Sequence, residues 1–309
     1  MDKRSRDKKT MGSNLLLALT ALIWGVAFVA QSVGMDYVGP FTFNACRFLI
    51  GGVVLIPIII VTGKRKSGKA WDKRFGKMEL WGGICCGAVL FVSSSLQQFG
   101  VAHTTVGKAG FITALYIVIV PFLGIFMKKK ISWSVWVSVA LAVMGMYLLC
   151  ITDGLRIGKG DFYVFLCAIG FSFHILVIDY VSPRADGVLV SCVQFFTAGM
   201  ISAVMTAVFE HPQAASVAAA WAPILYAGVM SCGVAYTLQV VAQKNTDPVV
   251  ASLILSMEST FSLLAGWILL GQKLAARELG GCVLVFAAIM LAQIPVEKND
   301  GKEHAGSSL

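Results

Sequence analysis

Charged residues are scarce in this sequence. Only 13% of its 309 residues are Asp, Glu, Lys or Arg, against about 25% in soluble domains. That shortage, beside a hydrophobic fraction of 57%, excludes an ordinary soluble enzyme. Cysteine pairing is missing too: none of the eight cysteines forms a C-x-x-C, and all lie in or at the ends of apolar runs. Neither a disulfide framework nor a metal site is indicated, and each Cys reads as a small buried apolar residue. No G-x-x-x-x-G-K-[ST] loop, H-E-x-x-H pair or N-x-[ST] sequon occurs. The sequence therefore offers no ATP-binding loop and no zinc-peptidase helix, and no cofactor is expected. Acids are fewer than bases, 16 against 25, for a net charge of +9. On a chain this apolar, that excess reads as a topology signal ahead of a nucleic-acid footprint.

Long uncharged runs are what the sequence has in abundance. A bilayer crossing takes about 20 apolar residues, and ten candidates fall near 13–34, 39–62, 79–100, 106–127, 132–151, 161–181, 187–209, 220–242, 248–270 and 276–294. The first is too long for a removed signal peptide and reads as a retained helix. Ten crossings put both termini on one side of the membrane. Nineteen of the 25 basic residues fall on that side, among them Lys3, Arg4, Lys64, Arg65, Lys128, Lys129, Lys130, Arg184 and Lys244, whereas the opposite face has only Arg156, Lys159, Lys273 and Arg277. Cytoplasmic loops retain Lys and Arg, so both termini are expected in the cytoplasm and the chain in the cell membrane.

The sequence also repeats. Trp24 aligns with Phe171, Pro40 with Gly187 and Arg47 with Gln194 at an offset of 147 residues; Gln97 aligns with Gln239, Thr104 with Thr246, Ala109 with Ala251, Ile112 with Ile254 and Gly124 with Gly266 at 142. A shared offset across several helices divides the chain into 1–152 and 153–309, each with five runs. An odd number of crossings, repeated in tandem, must enter the membrane from opposite sides in its two copies. The expected fold is therefore an all-α polytopic membrane protein of ten transmembrane helices in two inverted-topology five-helix repeats, an arrangement that suits alternating access.

Polar residues inside the runs mark the candidate site, because a charge or amide in hydrocarbon must face protein or water. Arg47 lies about a third of the way into the second run, and Glu258 is the only carboxylate at the centre of any run. Each is either a substrate or coupling-ion contact or half of a structural pair. Ser94, Gln97 and Gln98, and likewise Tyr236, Gln239 and Gln243, share helix faces and point to a common cavity or to helix-to-helix bonds. Trp24, Phe28 and Gln31 form a stripe on the first run; Thr113 and Tyr116 sit three apart on the fourth. The cavity candidates are Trp24, Arg47, Gln97, Tyr116, Gln194, Gln239 and Glu258. His174, which can titrate near neutral pH, joins Glu258 as a candidate proton carrier. Ser252, Ser256 and Ser259 on one face, and Gly83 with Gly87, indicate close helix packing.

Two stretches resemble a known family. Leu22-Ile23-Trp24-Gly25-Val26-Ala27-Phe28 with Pro40 and Arg47, and Met257-Glu258-Ser259-Thr260-Phe261 running through Gly266-Trp267 to Leu270-Gly271-Gln272-Lys273-Leu274, are similar to the two repeat signatures of EamA-type transporters in the drug/metabolite transporter superfamily. Ser259 replaces the family's proline and Gln272 its second acid. The resemblance spans about 14–294 and implies a central cavity lined by both halves and export or exchange of small metabolites. Arg47 would attract a carboxylate or phosphate, and Glu258 an ammonium or a proton. A zwitterion such as an amino acid meets both, with drugs, sugar phosphates and nucleotide sugars as alternatives. The expected partners are a small-molecule substrate and the lipid bilayer, with a homodimer compatible and nucleic acid not. An intramembrane enzyme would need a catalytic pair, and only Ser172 and His174 on one helix approach that; a membrane scaffold would not need matched amides.

Overall fold

The computed structural model describes residues 3–65, 76–126, 133–150, 158–271 and 276–292. Lys66, Lys69, Lys73, Arg74, Lys128, Lys129, Lys130, Arg156, Gln272, Lys273, Lys298 and Lys302, which entered the topology and motif arguments, lie outside the described residues. Among the described residues all regular structure is helical: α1 (Lys3–Gly34), α2 (Pro40–Arg65), α3 (Lys77–Val101), α4 (Val106–Thr113), α5 (Tyr116–Phe126), α6 (Trp133–Cys150), α7 (Lys159–Val181), α8 (Gly187–Phe209), α9 (Ala214–Ala219), α10 (Trp221–Tyr226), a π-helix (Ala227–Tyr236), α11 (Thr237–Gln243), α12 (Pro248–Leu255), α13 (Met257–Leu270) and α14 (Ala276–Ala292). Helix is what long uncharged runs must form in lipid, where each backbone N–H and C=O needs a partner within its own segment.

Among the described residues, eight stretches are long and apolar enough to cross a membrane: Lys9–Gly34, Pro40–Thr62, Lys77–Val101, Val106–Phe126, Lys159–Val181, Gly187–Phe209, Trp221–Gln243 and Pro248–Leu270. They match eight of the ten expected runs. The other two are helices as well, α6 and α14, but their apolar parts, Trp133–Gly145 and Leu279–Ala288, are shorter than a span. Val53, Val92, Val204 and Phe286 stand exposed on the outside of the bundle, as residues facing hydrocarbon do.

Three spans are interrupted, which run length alone does not disclose. Across Ala114 and Leu115 the backbone tightens to three-residue bonds, Leu115 N to Ile112 O and Ile117 N to Ala114 O, between α4 and α5. Pro121 then removes the bond that the Ile117 carbonyl would accept. At Ser256, 142 residues after Ala114, the same happens between α12 and α13, where Ser259 N bonds Ser256 O. The serine ladder there explains the bend: Ser252, Ser256, Ser259 and Ser262 each return their hydroxyl to the carbonyl three residues back, at 2.7–2.8 Å. The third interruption is the π-helix, a geometry found most often at functional sites.

The helices pack in matched pairs, α2 on α8 and α6 on α14, with α3 between α7 and α8 and α1 between α13 and the π-helix. Glycines permit the closest approaches. A β-carbon on Gly83 would lie 2.6 Å from Val193, and one on Gly87 2.6 Å from the Gln194 carbonyl oxygen, so the Gly83/Gly87 pair seats α3 on α8.

Hydrogen bonds tie both ends of the bundle. Where α1 begins, Asn245 donates to Ser13 at 3.4 Å and Glu79 accepts from Asp186 N at 3.2 Å. Where α2 begins, Glu210 from the end of α8 accepts from Phe41 N (2.8 Å), Thr42 N (2.7 Å) and the Thr42 hydroxyl (2.6 Å). A carboxylate on the orphan amides of a helix start satisfies both the unpaired donors and the dipole. Glu210→Ala should therefore lower stability by about 1–2 kcal/mol, visible as a lower thermal midpoint in detergent, with Glu210→Gln intermediate. An unchanged midpoint would show that the clamp carries no weight.

Candidate functional site

A narrow cavity of about 30 Å³ lies at the centre of the bundle, where α1, α2, α3, α4, α5, α7, the π-helix, α11, α12 and α13 converge. Its wall on α1 is the stripe Trp24, Phe28 and Gln31. Trp24 donates its indole N–H to the Ser231 carbonyl at 3.4 Å, an acceptor that the π-helix presents, and its ring lies 4.6 Å from Tyr236. Phe171, His174 and Ile175 form the wall on α7.

Arg47 enters from α2. Its side chain is fully buried, with the guanidinium 4.8 Å from the Phe48 ring and 5.8 Å from the Phe43 ring. Its Nε and Nη2 have no hydrogen-bond partner, and no carboxylate lies within salt-bridge distance of it among the described residues. A buried guanidinium with donors to spare is able to bind an anion. Glu258 stands elsewhere on the same wall, in the first turn of α13, and accepts from the Tyr116 hydroxyl at 2.8 Å. The interruptions put both there: Tyr116 begins α5 and Glu258 follows the break at Ser256, so each helix break turns a polar residue into the cavity. Discontinuous helices of this kind recur where membrane proteins bind polar solutes.

Six of the seven cavity candidates, Trp24, Arg47, Gln97, Tyr116, Gln239 and Glu258, line this one space. Gln97 donates to Thr113 at 3.3 Å, while the Gln239 carbonyl oxygen has no partner. Gln194 stands one layer back, its side-chain amide hydrogen-bonded to His174 Nε2 at 3.1 Å. Gln98 and Gln243 also turn away, donating to the carbonyls of Gln31 (3.1 Å) and Ile175 (3.2 Å) and so joining helices. The sequence did not mark Ser231, Ile175 or Leu255 as lining residues; a small or aliphatic residue in a span has no signature of its own. The repeat was the available signal. Trp24 with Phe171 and Phe28 with Ile175 are 147 apart; Gln97 with Gln239, Thr113 with Leu255 and Tyr116 with Glu258 are 142 apart, and all ten line the cavity.

Known proteins resemble the chain over nearly its whole length. A transporter of Archaeoglobus fulgidus, itself uncharacterized, is 29% identical over 93% of this chain and 88% of its own. A probable terminal-alkyne amino-acid exporter of Streptantibioticus cattleyicolor is 22% identical over 89% and 91%. A protein crystal structure superimposes with a TM-score of 0.74 at 18% identity, over 92% of this chain and 96% of that one, and so shares the fold. The EamA-like transporter family profile matches twice, over residues 11–151 and 158–293. With eight apolar helices long enough to cross a bilayer and a family match across both halves, this multi-pass membrane protein belongs to the EamA-like transporter family.

Proposed function

We propose that the chain is a secondary transporter that exports or exchanges amino acids with an apolar side chain, or close analogues, across the cell membrane by alternating access. The observation that carries this reading is the charge arrangement of the cavity: a buried Arg47 with unpartnered Nε and Nη2, and a Glu258 carboxyl that does not pair with it. A zwitterion supplies both missing partners, its carboxylate on Arg47 and its ammonium at Glu258 and Tyr116. Between them Trp24, Phe28, Phe171 and Tyr236 offer an aromatic surface for a side chain. The name of the Streptantibioticus relative, an amino-acid exporter, agrees with this class.

In this reading α6 and α14 complete ten crossings, and residues 1–152 and 153–309 are two inverted repeats. The pairing of α2 with α8 and α6 with α14, and the breaks at Ala114 and Ser256, support it. Both termini are cytoplasmic, on the basic-residue rule. The test is counterflow in proteoliposomes loaded with a metabolite mixture: uptake stimulated by apolar amino acids and not by sugar phosphates supports the reading, and the reverse selectivity overturns it.

The coupling proton is assigned to Glu258 and His174, which both line the cavity. Wild-type counterflow should then vary with pH across about pH 5 to 8, and Glu258→Gln should be flatter. Identical profiles for the two proteins would remove Glu258 from coupling.

A further inference from the structure

A second concavity opens on the outside of the bundle, near the end where α3 begins and α5 and α7 finish. Trp81 and Cys85 of α3, Leu123 and Phe126 of α5, and Phe173 and Tyr180 of α7 are among its lining residues, and it is almost wholly apolar. Gly82 shapes its floor: a β-carbon there would lie 2.7 Å from Val181, so α3 and α7 meet closely and leave the space beside them open. Trp81, Phe126 and Tyr180 are more than half exposed along it. Along α7 the groove runs from Phe173 to Val181, about 12 Å at 1.5 Å per residue, or most of one ~15 Å leaflet.

The rim is basic. Arg184 follows the end of α7, exposed, with its guanidinium 4.2 Å from the centroid of the Tyr180 ring that lines the groove, and its Nη1 donates to the Tyr180 carbonyl. Lys77 begins α3, exposed, one residue before the groove-lining Met78. Of the neighbouring acids, Glu79 accepts from the Asp186 amide and Asp186 caps α8 at the Val188 amide, while Asp179 precedes Tyr180 on α7. An apolar slot one leaflet deep beneath a cationic rim is complementary to one ligand chemistry: an acyl chain below and a phosphate above.

We propose that this groove is a binding site for an anionic phospholipid, with an acyl chain between α3, α5 and α7 and its phosphate held by Arg184 and Lys77. The site does not depend on what the central cavity carries; it requires only that the chain lie in a bilayer. On the basic-residue rule it belongs to the cytoplasmic leaflet, where anionic lipid is drawn to such clusters. It also has a route to the cavity, because one stretch of α7 serves both: Phe173, Leu176 and Val177 line the groove, and His174 and Ile175 the cavity.

The test is native mass spectrometry of the full chain in detergent with equimolar phosphatidylglycerol and phosphatidylcholine of identical acyl chains. Wild type should retain phosphatidylglycerol several-fold over phosphatidylcholine. Lys77→Gln/Arg184→Gln, which removes both charges from two exposed side chains, should bring the ratio near one. Trp81→Ala should lower retention of both lipids. Equal retention of the two lipids by wild type, or an unchanged preference in the double variant, overturns the proposal. So does a dimer that Trp81→Ala dissociates, because a second copy of the chain would then cover the groove. The wild-type competition is decisive even if a variant fails to fold.

Discussion

Arg47→Met is expected to cut counterflow about 100-fold or more while raising the midpoint of thermal unfolding. The two effects have one cause. Losing a buried charge–charge contact to the substrate costs about 2–5 kcal/mol of binding, so transport collapses. In the empty protein, however, Arg47 is a buried cation whose Nε and Nη2 have no partner. Replacing such a charge with an apolar residue of similar length relieves about 1 kcal/mol or more. Arg47→Lys should recover only part of the transport, since a single ammonium cannot present the planar fork of donors. Counterflow and thermal unfolding of the same three proteins separate the alternatives. A fall in stability with Arg47→Met would make Arg47 a structural residue, and unimpaired counterflow would remove it from binding.

Gly25→Ala is expected to be the most damaging single methyl group in the chain's first helix. A β-carbon at Gly25 would lie 2.3 Å from Phe261 Cβ, 2.7 Å from the Phe261 carbonyl carbon and 2.8 Å from Ser262 N. Two of those atoms are backbone, so no rotamer change relieves the clash and α1 must lift away from α13. Overpacking costs about 1–3 kcal/mol and occasionally more, and the upper end applies where backbone is struck. The same displacement would shift Trp24 relative to the rest of the cavity wall, so transport should fall along with stability. Gly12→Ala is the control, because nothing lies within 4 Å of its β-carbon. Comparing the yield of monodisperse protein and the unfolding midpoint of the two variants gives the answer, and equal behaviour would contradict the contact.

The spans were readable because run length is itself the physical requirement for crossing hydrocarbon. Their interruptions were not: Ser256 and Leu115 sit in runs of unbroken hydropathy, and what bends the chain there is a hydroxyl returned to the backbone or a proline six residues on. Amides posed a different problem. Gln97 lines the cavity and Gln98, one residue later, bonds the Gln31 carbonyl. A single 100° step around the helix separates the two roles, and without the neighbouring helix nothing in the sequence chooses. Gln194 is a related case, buried but bonded to His174 and not lining the cavity. Tyr116 and Glu258 were both singled out, yet their contact was hidden by chemistry: a phenol and a carboxyl do not look like counterparts until the 142-residue offset sets them side by side.

That contact has a mechanical meaning. In the two-repeat reading, counterparts that touch each other lie on the axis relating the halves, and motion about an axis leaves what lies on it in place. The bond from Tyr116 to Glu258 is then a fulcrum, fixed while the helices around it trade positions. Were the halves chemically identical, their two arrangements would be degenerate, and nothing internal would distinguish facing in from facing out. The bond itself persists in both arrangements and so weights neither. Any preference for one resting side must come from the side chains that change partners around it.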